Sequence, residues 1–209
     1  MSSEAAKPIL ANALPLDAAA VSSLLQPDEP MFCFSAAALA ARAKQFTKNF
    51  PGLVTFAVKS NPSVEVIRTL AANCITSWDV ASVHEMKLVR EMSPTAHFHY
   101  HNPVKSRREI EDAYRIYNCK RFVVDCREEL QKIADIIGKD SEVEIAVRFV
   151  LPRDRGSSAH DFSTKFGAPE HICVELLKQA HALGTIMKRS RGDNLRRPRA
   201  GHWGVIERG

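Results

Sequence analysis

The chain has 209 residues, 45% hydrophobic and 25% charged, the balance of a globular protein able to bury one sizeable core. No run approaches the roughly 18 apolar residues of a membrane-spanning helix, and the first 25 residues lack the basic start and long apolar centre of a secretory signal. The net charge of +5 excludes a broadly basic nucleic-acid binder, because residues 185–209 hold seven basic and two acidic residues while the remainder holds 22 of each. Neither a membrane nor a specific nucleic acid is therefore expected as a partner, and a cytoplasmic location is.

Residues 1–30 read as a partly helical leader. Beyond them short apolar runs alternate with helical patterns. The strand-like runs are Met31–Phe34, Leu53–Val58, Ile75–Val80, Ala96–Tyr100, Arg121–Asp125 and Val143–Leu151. Helices are expected over about 36–49, 63–73, 83–92, 107–117, 126–138 and 169–184. Such alternation predicts βαβ units and a parallel sheet. Asn61 before Pro62 reads as an N-cap with proline at the first helical position. Three further starts read as capping boxes: Ser82 with Glu85, Ser106 with Glu109, and Asp125 with Glu128. Gly138 and Gly184 read as helix stops. The polar segment between Leu151 and Gly167 is too long for an ordinary strand-to-helix connection, and such a loop is a candidate active-site or interface loop.

After Gly184 the pattern breaks. Residues 185–209 show neither helical stripe nor strand alternation and are rich in Arg and Gly. The tail is expected to be disordered, and it has the character of an out-of-frame or alternative ending. Trp203 is its only aromatic, too few for a base-stacking platform. The five cysteines (Cys33, Cys74, Cys119, Cys126 and Cys173) are odd in number and include no CxxC pair, so separate thiols are expected rather than a disulfide or zinc framework.

If the parallel sheet belongs to a barrel, chemistry gathers at the C-terminal ends of its strands. Lys59 closes Phe56-Ala57-Val58, Asp79 sits near the end of Ile75–Val80, and Arg148 lies late in Val143–Leu151. A lysine that follows an apolar strand is expected to be partly desolvated and ready to condense with a carbonyl. Each residue also has a structural reading. A strand-end lysine is commonly a solvated terminus, Asp79 can cap a turn, Glu85 is explained by its capping box, and Arg148 can be an ion-pair partner.

The motifs around these residues carry more. Phe56-Ala57-Val58-Lys59-Ser60-Asn61-Pro62 and Trp78-Asp79-Val80-Ala81-Ser82-Val83-His84-Glu85 closely resemble the fold-type III amino-acid decarboxylases, which include ornithine, lysine and diaminopimelate decarboxylases. The resemblance continues, in order and at matching intervals, through Tyr100-His101-Asn102-Pro103-Val104-Lys105, Val124-Asp125-Cys126-Arg127-Glu128-Glu129-Leu130 and Lys165-Phe166-Gly167-Ala168. It covers about residues 31–184 and is strongest toward the ornithine and lysine branch.

The resemblance implies an α/β fold: about five strands from the N-terminal portion of a (β/α)8 barrel that binds pyridoxal 5'-phosphate (PLP). It implies that Lys59 carries the cofactor, that Asp79 lies beside the bond so formed, and that Glu85 and Arg148 belong to the cofactor-side network. Lys165 would lie in a loop near a dimer interface, and a homodimer is expected of full-length relatives. Met31–Phe34 resembles the strand that joins a second, β-rich domain. Trp78 stands where the family usually has Phe and would crowd the packing. The expected activity is decarboxylation of a basic L-amino acid, ornithine foremost, with a role in polyamine synthesis. The family's next strand carries a histidine that stacks on the cofactor ring, where this chain reads Thr185-Ile186-Met187-Lys188. The glycine-rich phosphate loop and the acid for the pyridine nitrogen are likewise missing. The chain alone is therefore expected to be inactive. The alternative is a non-catalytic homologue that binds a decarboxylase or its regulator.

Overall fold

A computed structural model describes residues 17–150, 166–184 and 205–206. Residues Met1–Ser35 and Ala36–Gly209 form separate compact units. In the first, helix α1 (Ala18–Leu25) starts where the Asp17 carboxylate accepts a hydrogen bond from the Ala20 N–H at 2.7 Å. It ends at Gln26 in the left-handed region. The expected strand Met31–Phe34 is absent, and Phe32 is fully exposed. Apolar alternation makes a strand only where a neighbouring ladder satisfies its backbone groups, and no described strand pairs with this run.

The second unit runs α2 (Ala36–Asn49), β1 (Leu53–Ala57), a 3-10 turn (Val58–Ser60), α3 (Val64–Ala72), β2 (Ser77–Val80), α4 (Val83–Met92), β3 (His97–Tyr100), α5 (Arg107–Arg115), β4 (Arg121–Val124), α6 (Arg127–Ile137), β5 (Glu144–Val147) and α7 (Glu170–Ala182). Strands β1 to β5 lie parallel and in sequential order. Each helix packs on its sequence neighbours. A sequential parallel sheet with one helical layer is the wall of a barrel rather than a doubly wound sheet. Two residues of the tail depart from expectation: β6 (Val205–Ile206) pairs antiparallel with β1, Ile206 against Leu53 and Val205 against Val54. The rest of the tail, and the segment 151–165 with Lys165, lie outside the described residues.

Strand side chains alternate between faces, and the two faces differ in chemistry. Phe56, Val58, Trp78, Val80, Phe98, Tyr100, Phe122, Val124 and Ile145 join the core with Ile67, Leu70, Met86, Ile110, Leu130 and Ile133 from the helices. The other face holds Thr55, Ala57, Ser77, Asp79, His97, His99, Arg121 and Glu144. There Arg121 Nε donates to Glu144, its register partner on β5, and Arg121 Nη1 lies 3.0 Å from His99 Nε2. The inner face thus carries a charged, hydrogen-bonded row beside the apolar Ala57, Val123 and Ala146. Trp78 is fully buried against Phe56, edge to face with ring centroids 6.1 Å apart. Its indole N–H has no hydrogen-bond partner among the described residues, the cost of a tryptophan in this position.

The helix starts show which local signals hold. Ser106 and Glu109 form the full reciprocal box. Ser82 accepts from the Glu85 N–H, but the Glu85 carboxylate takes the Ala81 N–H at 2.7 Å instead of the cap's own. Asn61 is not the cap of α3; its Oδ1 accepts from the Ser63 N–H at 3.2 Å, an Asx turn that places Ser63 at the N-cap. Asp125 is not the cap of α6 either. Its carboxylate accepts from the Gly167 N–H at 3.1 Å, and Cys126 takes the N-cap position.

Two polar clusters tie the helical layer to the sheet. Lys105 is buried, and its ammonium meets three acceptors: Glu129 Oε1 at 3.0 Å, the Asn102 carbonyl at 2.9 Å and the Val123 carbonyl at 2.8 Å. The other Glu129 oxygen holds Lys132 Nζ at 2.6 Å. At the opposite end of the sheet, Asp140 accepts from Lys120 Nζ and Tyr114 Oη, each at 2.7 Å, and from the Glu142 N–H at 2.8 Å.

Removing one partner of a buried pair leaves an uncompensated charge, which costs about 3–5 kcal/mol. Glu129→Leu should therefore lower the unfolding free energy by roughly that amount in urea titrations, whereas exchange of the exposed pair Arg108–Asp112 should change it by under about 1 kcal/mol. The Asp140 carboxyl is lowered from 3.8 to about 2, first by its Lys120 hydrogen bond. A depressed carboxylate stabilises the fold above its unfolded value. Stability should fall as pH drops from about 4 toward about 2, and Asp140→Asn should flatten that part of the profile in acid titrations followed by circular dichroism.

Candidate active site at the strand ends

The C-terminal ends of the strands present four of the residues singled out by the sequence. Lys59 sits in the 3-10 turn that follows β1. It is exposed, so the expected desolvation by the strand does not occur: the turn carries the side chain off the buried strand and into solvent. Asp79 lies on β2 in register with Ala57, two residues before Lys59, and its side chain is 18% exposed. Glu85, in the first turn of α4, is half-buried.

Burial is the largest influence on the Glu85 carboxyl and raises it above its usual range. The Ala81 hydrogen bond opposes this, the Asp79 charge raises it further, and the Lys59 charge lowers it. Glu85 therefore senses both Asp79 and Lys59, and these three residues form one electrostatic group. Arg148 follows β5, its N–H donating to the Val124 carbonyl at 2.8 Å and its guanidinium 5.7 Å from the centre of the Phe166 ring. It stands four strands from β1, about 19 Å along the sheet at the usual strand spacing. No described contact joins it to the other three.

His101, within the Tyr100–Lys105 motif, is a residue whose place in the site the sequence does not reveal. It follows β3, and its Nδ1 lies 3.1 Å from Asp79 Oδ2. The Asp-Val-Ala-Ser and His-Asn-Pro motifs meet here because the parallel register sets Val80 beside Tyr100, and the His101 N–H donates to the Val80 carbonyl at 2.9 Å. A hydrogen bond of 3.3 Å from Asn102 Nδ2 to the Ala81 carbonyl joins the loops after β2 and β3.

The site offers an exposed primary amine within electrostatic reach of the Glu85 carboxyl, Asp79 on the neighbouring strand, and a guanidinium further along the rim. That donor set fits a group bearing an aldehyde, which an amine captures covalently, and an anionic part, which a guanidinium pairs with. Cys119 is buried and its thiol is pushed up to about 12, mainly by desolvation, so it is no nucleophile at neutral pH.

Comparisons with known proteins agree. Residues 36–187 match the family model described as "Pyridoxal-dependent decarboxylase, pyridoxal binding domain". A lysine/ornithine decarboxylase of Selenomonas ruminantium is 37% identical over 138 residues, 63% of this chain and 33% of the relative. The crystal structure of lysine decarboxylase from the same organism superposes with a TM-score of 0.66 at 28% identity, over 82% of this chain and 44% of that one. A lysine/ornithine decarboxylase from Vibrio vulnificus, crystallised with putrescine, gives 0.63 at 25% identity, over 83% and 45%. The chain thus spans about a third of the length of the curated relative.

The electrostatic grouping has a measurable consequence. In carbon-detected NMR the Glu85 carboxyl should titrate above its ordinary 4.5. Asp79→Asn should lower that midpoint by removing a like charge, and Lys59→Met should raise it by removing a cation.

Proposed function

Because this chain belongs to the pyridoxal-dependent decarboxylases, through their pyridoxal-binding domain, we propose that it takes part in PLP-dependent decarboxylation of a basic L-amino acid, ornithine foremost, giving the corresponding diamine for polyamine synthesis. The observation that carries this is the exposed Lys59 amine at the end of β1, sharing one electrostatic environment with Asp79 and Glu85.

When bound, PLP supplies an electron sink for the pair left behind when carbon dioxide departs. The protein's part is binding and orientation. Lys59 would hold the cofactor through its exposed amine. Asp79, in register with Ala57 on the neighbouring strand, would place a negative charge near the Lys59 turn. Glu85 restrains the backbone that presents Asp79, through its hydrogen bond to the Ala81 N–H. Arg148 would belong with Glu85 to the residues on the cofactor's side of the site. Ornithine is preferred on the likeness of the motifs. A homodimer in the cytoplasm completes the reading. The chain alone is proposed to turn over no substrate.

Borohydride reduction of the purified chain with PLP, followed by peptide mass mapping, tests this. A phosphopyridoxyl group concentrated on Lys59, and lost from it in Lys59→Ala with no other lysine gaining it, is expected. Label absent, or scattered evenly over the exposed lysines, would remove the basis for the proposal.

A further inference from the structure

Residues 166–168, the described part of the Lys165–Ala168 motif, are built against Arg148. Ala168 pairs with Phe149 as an isolated parallel bridge. The Ala168 N–H donates to the Arg148 carbonyl at 2.9 Å, and the Val150 N–H donates to the Ala168 carbonyl at 3.0 Å. The Cys173 thiol on α7 donates to the same Ala168 carbonyl at 3.4 Å, and the Gly167 N–H donates to the Asp125 carboxylate at 3.1 Å. Gly167 has a φ of +125°, and a Cβ there would stand 2.9 Å from the Phe149 carbonyl carbon. Backbone cannot swing aside as a side chain can, so only glycine allows so close an approach. These contacts fix the backbone of the segment beside the end of β5. The Phe166 ring then lies under the Arg148 guanidinium, whose carbon is 5.7 Å from the ring centre.

We infer that Phe166 is a positioning residue for Arg148: its ring holds the guanidinium at one point of the rim, where it can pair with an anionic group of the bound cofactor. The inference rests on the proposed place of Arg148 on the cofactor's side of the site. An arginine has a long flexible stem, and the direction of its charge is set by what touches the planar head. Among the described residues Arg148 has no ion-pair partner, and the contact that directs its guanidinium is the Phe166 ring. A carboxylate in that position would neutralise the charge and occupy its N–H groups. A ring face attracts the cation and takes none of its donors, so the head is oriented and still open to an anion.

Arg121 shows the other use of the same side chain. Its guanidinium donates to Glu144 on the next strand and faces His99 on the preceding one, so its donors tie the sheet together. Arg148, on the strand beside Arg121's, is held by an aromatic ring instead. The ring in turn owes its place to the Gly167 turn and to the bridge between Phe149 and Ala168.

Such a guanidinium is oriented before any ligand arrives, and proton–nitrogen NMR of the cofactor-free full-length chain reads this directly. Arg148→Lys identifies the Arg148 Nε–H signal by its loss. That proton should resonate upfield of the solvated arginines, because it lies over the ring. It should move back to them in Phe166→Leu and stay upfield in Phe166→Tyr. A signal among the solvated arginines in the unaltered chain, or one unmoved by Phe166→Leu, overturns the inference. Capture of PLP gives a second decision, read as the concentration that half-labels Lys59 in borohydride mapping. Phe166→Leu should raise it roughly two- to fivefold, the size of one exposed cation–π contact, and Phe166→Tyr should leave it as it was. In a chain already carrying Arg148→Gln, Phe166→Leu should add nothing; losses that add would make Phe166 independent of Arg148 and overturn the inference as well. If the unaltered chain captures no PLP on Lys59, the proposed function fails by that result, while the NMR shift still decides whether Phe166 directs Arg148.

Discussion

One charge taken out of water organises the end of the sheet where the candidate site lies. Lys105 is buried, and burial pushes its ammonium below the ordinary lysine range while Glu129 pulls it back. An ammonium has three protons, and three acceptors wait for them: a carboxylate on α6, the carbonyl of Asn102 and the carbonyl of Val123 on β4. The backbone N–H of Lys105 also donates to Glu129, at 3.2 Å. A single side chain thus binds the loop after β3 to the next strand and the next helix. Asn102, in the same loop, reaches back to the loop after β2. His101 lies between these anchors, and Asp79 rests against His101. The placement of the reactive rim follows from this clamp more than from the apolar core beneath it, since the core fixes strands and leaves their ends free.

The division of labour between the sheet's faces explains why much of the fold could be read from sequence. Apolar runs alternating with amphipathic helices report the helix-facing residues, and these make the core. The Ser106–Glu109 box was legible because both partners are three residues apart and nothing else competes for them. Asp125 misled because its carboxylate is claimed by Gly167, 42 residues onward, a contact that no local pattern contains. Asn61 misled for the opposite reason: it bonds even closer than a cap would, making a turn that moves the helix start by two residues. Met31–Phe34 has the look of a strand but no partner among the described strands.

The candidate site divides in the same way. Lys59, Asp79, Glu85 and Arg148 were found because each stands in a motif or at the end of a strand. The structure draws the first three together and sets Arg148 far along the rim. His101 stands within its motif, yet its place in the site depends on the register between β2 and β3, which brings it to Asp79. The charged row of His99, Arg121 and Glu144 was hidden for a related reason. On paper an Arg opening one strand and a Glu opening another look like solvated termini. Only the pairing of β4 with β5 makes them partners.

That row bears on how such a chain comes into being. A barrel wall whose inner face was apolar would be sticky until the last strand closed the ring. Here the inner face carries its own ion pair and imidazoles, and the larger apolar side chains lie under the helices that follow each strand. Every βα unit can therefore bury its hydrophobic side as soon as its helix exists. A ribosome delivers roughly 5–20 residues each second, so each unit has seconds to dock before the next emerges. The polar interior makes the order of synthesis a workable order of folding, strand by strand from the N-terminus.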